Sequence, residues 1–330
     1  MSESGSLRDM VARGEKISLR EAFGRALVAA GERRSDFVVL DADVAGGTGA
    51  HHFKQRFPGR FFDFGIAEQN MMAAAAGLAA TGVTPFVTTF AVFATMRACE
   101  QLRTFVAYPN LDVKVAGSHV GLDVGPDGAT AQALEDLAMM RAIPNLTVVA
   151  PADPIEMARA VDAILDHKGP VYLRTGRSPL PTLFGPEHAF TLGRAQVLED
   201  GNDVTLVACG TMVHRALAAA AMLRRRGVTA RVVNCPTVKP LDVETIVAAA
   251  LHTGAVVTCE DHSVVGGLGG AVAETLALNC PTPMAMVGVR DRFGASGDPE
   301  TLAAHFGIAA GDVADAARNL VRQKATRRTA

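Results

Sequence analysis

Short β-branched runs alternate with longer amphipathic ones along this chain. Residues 37–40 (Phe-Val-Val-Leu) are continuously apolar over the length of a strand, and 86–88, 113–115, 146–149 and 171–173 repeat the pattern. Between them, apolar positions recur at helical spacing over 19–33, 68–80, 94–108, 132–142 and 154–166. Strands without polar alternation are buried on both faces, so the pattern predicts a mostly parallel sheet with helices on each side. A Pro/Gly-rich stretch at 178–192 interrupts the series. Beyond it, strands are predicted at 204–208, 230–233, 255–258 and 284–287, and helices at 214–226, 243–251, 267–278 and 312–322. The expected fold class is α/β. A flexible N-terminus, 1–16, precedes two three-layer domains with mostly parallel sheets, at 17–188 and 189–325.

The 330 residues are 49% hydrophobic and 20% charged, enough apolar material to fill two cores. The formal net charge of -2, with no basic stripe, argues against nucleic acid or an anionic membrane as a partner. None of the five cysteines has C-x-x-C spacing, which leaves no zinc or disulfide signal and fits thiols in a reducing compartment. The N-terminus lacks the apolar core of a secretory signal, and the most apolar stretch, 71–80, is too short to span a bilayer. A soluble cytoplasmic protein is expected.

Ligands of open α/β sheets lie beyond the carboxyl ends of the strands. The segments to search are therefore 41–49, 117–130, 174–177 and 260–270. Glu68 follows an aromatic-rich segment and opens an alanine-rich helix. It is either an ordinary first-turn carboxylate or one set in an apolar wall for acid-base work. Phe90 and Phe93 share a face and are either core residues or a wall against a flat ring. His119 stands at a strand end, ahead of the Pro126-Asp127-Gly128 turn. Arg174 and Arg177 follow a strand, where two guanidiniums can bind a phosphate. The glycine-rich run 266–270 is out of phase with a dinucleotide fingerprint, because Val272 stands where the third glycine belongs.

Taken in order, these segments resemble transketolase. Asp-Phe-Gly-Ile-Ala-Glu-Gln-Asn-Met (63–71), Thr-Thr-Phe-x-x-Phe (88–93), Gly-Ser-His (117–119), Asp-Gly-Ala-Thr (127–130), Met-Arg-x-Ile-Pro-Asn (140–145) and Glu-Asp-His-Ser-Val-Val-Gly-Gly-Leu-Gly (260–269) look like that family's C-terminal half. The match runs from about 17 to 323 and covers its pyrimidine-binding and C-terminal domains. The Gly-Asp-Gly motif of the diphosphate-binding domain does not occur. The chain is thus similar to the second subunit of a split transketolase, which moves a two-carbon ketol unit from a ketose phosphate to an aldose through a carbanion on thiamine diphosphate.

The resemblance implies an N-terminal partner subunit holding Mg²⁺ and the cofactor's diphosphate, in an α2β2 assembly. It implies that Glu68 hydrogen-bonds the aminopyrimidine ring, that Phe90 and Phe93 pack around that ring with Met96 in place of a tyrosine, and that Asp43 lies near it. His119, also implied as catalytic, and Asp127 would contact the sugar; Arg174 would bind the substrate phosphate, with Arg177 assisting. Where the family has Asp-Gly-x-Thr/Ser-His-Gln, this chain has Ala131 for the histidine, which puts ordinary ketose-phosphate donors in question. Two other readings stand beside this one: a β-subunit of a 2-oxo acid dehydrogenase, and a non-catalytic or regulatory homologue.

Overall fold

In a computed structural model, which describes residues 7–329, the strands form two principal sheets. Those of the first part are Phe37–Asp41 (β1), Phe61–Asp63 (β2), Thr84–Phe90 (β3), Lys114–Ser118 (β4), Thr147–Val149 (β5) and Val171–Thr175 (β6). Those of the second are Gln196–Glu199 (β7), Val204–Ala208 (β8), Ala230–Asn234 (β9), Thr237–Lys239 (β10), Val256–Ser263 (β11) and Met284–Val289 (β12). The larger sheet runs β10-β5-β6-β4-β3-β1-β2 and the smaller β12-β11-β8-β9-β7. Each is parallel except at one edge, where β10 pairs antiparallel with β5 in the larger sheet and β7 antiparallel with β9 in the smaller.

The strand β10 comes from beyond the expected division at 188/189 yet pairs with β5 of the first sheet. The two halves of the sequence are therefore stitched rather than merely adjacent. A two-residue ladder, Ile17–Ser18 against Pro179–Leu180, ties the entrance of the first half to its exit.

Helices cover both faces. Helix Leu19–Arg33 starts where Ser18 accepts from the Glu21 amide, and helix Pro154–Asp166 where Asp153 accepts from the Glu156 amide with proline in the first turn. Between them and the sheet, Phe23 and Phe37 meet Phe86 edge-on. On the other face, Met71 and Met72 of helix Glu68–Ala80 pack against Leu40, Val87 and Val115.

Three expectations change. The stretch 1–16, expected to be flexible, contains helix Leu7–Ala12, whose Leu7, Met10 and Val11 rest on the core; residues 1–6 lie outside those described. The single helix expected over 94–108 is instead two π-helical turns, Phe93–Arg97 and Leu102–Ala107, about a short α segment. There the Ala98 amide reaches back five residues to the Phe93 carbonyl, while the Thr95 hydroxyl takes the Ala91 carbonyl. The helix expected from 132 begins only at Asp136, because Ala133 is bridged to Val120 and the Leu134 carbonyl accepts from the Ser263 amide. Among the described residues, no helix is long and apolar enough to cross a membrane.

Candidate active site

Strand register sets the site. Phe90 lies opposite Ser118, and Ser118 opposite Thr175, so the ends of β3, β4 and β6 align at one carboxyl edge. The end of β1 joins them, with Asp41 opposite Thr88. The buried Asp41 carboxylate accepts from the Thr88 hydroxyl at 2.6 Å and the Val44 amide at 2.7 Å, which fastens the turn that follows. Burial pushes its pKa up. On that turn Asp43 is exposed in the left-handed region (φ 61°), and Gly47 lies against Phe90. A Cβ on Gly47 would come within 2.8 Å of the Phe90 ring, so a larger residue here would push that ring aside.

His119 also takes a left-handed backbone (φ 63°), unusual for a residue with a side chain. That bend stacks its ring on Phe90, with centroids 3.8 Å apart. Its Nδ1 lies 3.0 Å from the Ser118 hydroxyl and its Nε2 3.7 Å from the Asp127 carboxylate. Burial, with the positive Arg20 and Arg177 nearby, pushes its pKa down to about 4. The imidazole is therefore neutral at pH 7, able to accept or donate one hydrogen bond.

Arg177 donates to Asp127 at 3.1 Å and to the Val124 carbonyl. Asp123 accepts from the Arg177 and Ser178 amides and holds this segment in place. Arg20, at the start of helix Leu19–Arg33, donates to the Gly47 carbonyl at 3.2 Å. Its pKa is lowered by burial and by the like charge of Arg177. Two guanidiniums that repel each other beside a neutral histidine make a niche suited to an anion.

Beyond this niche, Phe93 lies nearly parallel to Phe90 (interplanar angle 15°, centroids 5.9 Å apart). Glu68, 2% exposed, opens helix Glu68–Ala80. Arg97 Nη1 donates to both its carboxylate oxygens, at 3.0 and 2.9 Å, while the Arg97 guanidinium lies 4.4 Å from the Phe93 centroid. Met96 is exposed on the same turn.

The structure revises the reading of Arg174. It is buried and donates to both oxygens of the buried Asp136, at 2.7 and 2.8 Å, and to the Asp261 carbonyl. Tyr172 completes the set by donating to Asp136 at 2.7 Å. A guanidinium so held through Nε and Nη2 is an internal brace, and only its Nη1 is left without a partner among the described residues. Arg177, expected to assist, is partly exposed beside Asp127 and His119.

The run 260–270 also has a structural task. Glu260 accepts from the Leu268 and Gly269 amides and caps the following helix, although burial pushes its pKa up to about 7. Asp261 reaches across and accepts from the Leu122 and Asp123 amides, seating the loop that carries Asp127. Ala131 is buried behind that loop.

Arg20, Asp123 and Arg97 contact these candidate residues or the turns that carry them, although the sequence does not single them out. Arg20 looks like any first-turn helix residue, and no motif marks Asp123. Arg97 follows Met96 directly and was open to notice as a cation beside the aromatics. Among the described residues, no group of three or more His, Cys, Asp or Glu side chains is placed to hold a metal ion.

Known proteins are similar to this chain over nearly its whole length. Residues 15–182 match the transketolase pyrimidine-binding domain and 193–313 the transketolase C-terminal domain. A 6-deoxy-6-sulfo-D-fructose transketolase subunit from Clostridium sp. (strain MSTE9) is 43% identical over 310 residues, covering 94% of this chain and 96% of that protein. An apulose-4-phosphate transketolase subunit from Phocaeicola vulgatus is 36% identical, over 88% of this chain and 94% of its own. A split-gene transketolase solved as an inactive β4 tetramer superimposes with a TM-score of 0.86 at 47% identity, covering 93% of this chain and 99% of that one.

Proposed function

Because this chain belongs to the transketolase family, as one subunit of a two-component, thiamine-diphosphate-dependent transferase, we propose that Glu68 activates the cofactor and that the cleft of His119, Arg177 and Arg20 receives the substrate. When bound, thiamine diphosphate supplies the nucleophilic carbon that accepts the two-carbon unit. The residues present fit its aminopyrimidine end. Phe90 and Phe93 form a flat aromatic wall, and Glu68 places a water-shielded carboxyl beside it.

Glu68 carries this reading. A carboxylate 2% exposed is costly to bury unless paired, and here its partner is the half-exposed Arg97, whose place beside Phe93 a ligand can take. Its task is to hold a hydrogen bond to the ring nitrogen and keep the ring oriented. Phe90 and Phe93 exclude water from one side. Asp43 and Met96, both exposed, would border the ring when it is bound.

On the substrate side, Arg177 and Arg20 bind the anionic end of a sugar phosphate, and Asp127 orients Arg177 and a sugar hydroxyl. Neutral His119 hydrogen-bonds the sugar and moves a proton at its hydroxyl. Both named relatives act on anionic sugars, a sulfonate in one and a phosphate in the other. Ala131 stands where the family has a histidine, which puts ordinary ketose-phosphate donors in question.

The partner is an N-terminal transketolase subunit. It carries the diphosphate-binding domain, which holds Mg²⁺, in a cytoplasmic α2β2 enzyme. The domains divide at 188/189, with β10 returned to the first sheet. Neither a 2-oxo acid dehydrogenase nor a regulatory homologue is supported by the relatives above. The test is reconstitution. The chain mixed with its partner, thiamine diphosphate and Mg²⁺ should transfer ketol units in a donor–acceptor screen, and either component alone should not. Turnover by the chain alone, or oxidative decarboxylation with a lipoyl acceptor, would overturn the reading.

A further inference from the structure

Arg97 holds two contacts at once. Its planar guanidinium lies over the Phe93 ring at 4.4 Å and donates to both oxygens of Glu68. An aromatic face and a carboxyl group are also what the aminopyrimidine of the cofactor requires, on the reading of Glu68 given above, on which this inference rests. Two flat, nitrogen-bearing groups cannot occupy one carboxyl and one ring face together.

We infer that Arg97 is a positioning residue that stands in for the cofactor's ring in the free subunit and must leave Glu68 before the site can work. Three features support displacement of Arg97 rather than of Glu68. Glu68 is fixed at a helix start and buried, whereas the Arg97 side chain is 46% exposed on a flexible stem. Arg97 ends a π-helical turn, where the backbone ladder is already stretched by one residue. The apolar side chains flanking the pair in sequence, Met96, Ile66 and Phe62, are exposed, so the partner has an uncovered apolar surface to settle on beside it.

The displacement changes what Glu68 can do. While Arg97 is in place, both carboxyl oxygens are hydrogen-bonded to it and its guanidinium covers the Phe93 ring. When Arg97 swings away, the carboxyl and the ring face are both free for the aminopyrimidine. Until then the free subunit is held in a state that does not bind the ring, and Arg97 gives way only when the partner brings the ring to the site.

The experiment is calorimetric binding of thiamine diphosphate with Mg²⁺ to the enzyme assembled with its partner, comparing wild type with Arg97→Gln, Arg97→Met and Arg97→Lys. Arg97→Gln should bind the cofactor roughly tenfold more tightly than wild type, since the competing contact is gone, and Arg97→Lys, which keeps a cation beside Glu68, should bind it about as wild type does. The inference is overturned if Arg97→Gln, with its melting temperature kept, binds the cofactor no more tightly than wild type. It is equally overturned if Arg97→Met, which removes the donors and keeps the apolar stem, gives no gain. Failure of the Glu68 reading itself would appear separately, as ketol transfer retained by Glu68→Ala.

Discussion

Arg174 and Asp136 form a two-bond ion pair, Nε to Oδ2 at 2.7 Å and Nη2 to Oδ1 at 2.8 Å, with both side chains buried. The pair joins β6 to the helix that begins at Asp136, and through the Asp261 carbonyl it reaches the second sheet. Asp136 holds the guanidinium charged, and Arg174 holds the Asp136 carboxyl below its usual range against the cost of burial.

Substituting Arg174 should therefore unfold rather than merely weaken binding. Arg174→Met strands a buried carboxylate and is expected to cost about 3–5 kcal/mol in urea denaturation. Arg174→Met with Asp136→Leu should recover most of that loss. A fully stable Arg174→Met with only a raised KM would return the residue to phosphate binding.

Arg177 and Arg20 should behave in the opposite way. Arg177→Ala or Arg20→Ala is expected to leave stability nearly unchanged and to raise KM for an anionic sugar about 10- to 100-fold, the worth of one charge-assisted hydrogen bond. For a neutral sugar analogue KM should move little. Steady-state kinetics of the assembled enzyme on a matched anionic and neutral pair checks this.

How much of this was legible beforehand follows from where each constraint lies. The apolar runs at 37–40 and 171–173 and the periodic helix at 154–166 were readable, because burial of a contiguous segment leaves its mark within that segment. Arg174 was not, because its partner is 38 residues upstream and the choice between cleft and core depends on which way the end of β6 faces. Arg20 was hidden because the close approach of Gly47 brings it to the site, and spacing carries no trace of that contact. The chain also gave no hint that β10 would cross back to the first sheet, since three residues are too few to show a pattern.

The histidine of the cleft gives a pH prediction. The pKa of His119 is near 4 in the folded chain against an ordinary 6.5, so between those values the unfolded chain binds the extra proton. The contribution of this group to stability is complete above pH 6.5 and is lost as pH falls toward 4. The whole loss is on the order of 3–4 kcal/mol. His119→Asn should lack this part of the acid sensitivity, so denaturation curves of the two proteins at pH 7 and pH 4.5 should converge or cross on acidification. An imidazole NMR signal that titrates near 6.5 in the native protein would refute the assignment.

Glu68 is where the account stands or falls. The decisive measurement is ketol transfer by the chain reconstituted with its partner, thiamine diphosphate and Mg²⁺, comparing wild type with Glu68→Ala. Turnover in the variant is expected to slow by roughly two to four orders of magnitude, the usual worth of a positioned proton-transfer group, with the subunits still assembled. Transfer at the wild-type rate in Glu68→Ala would contradict it.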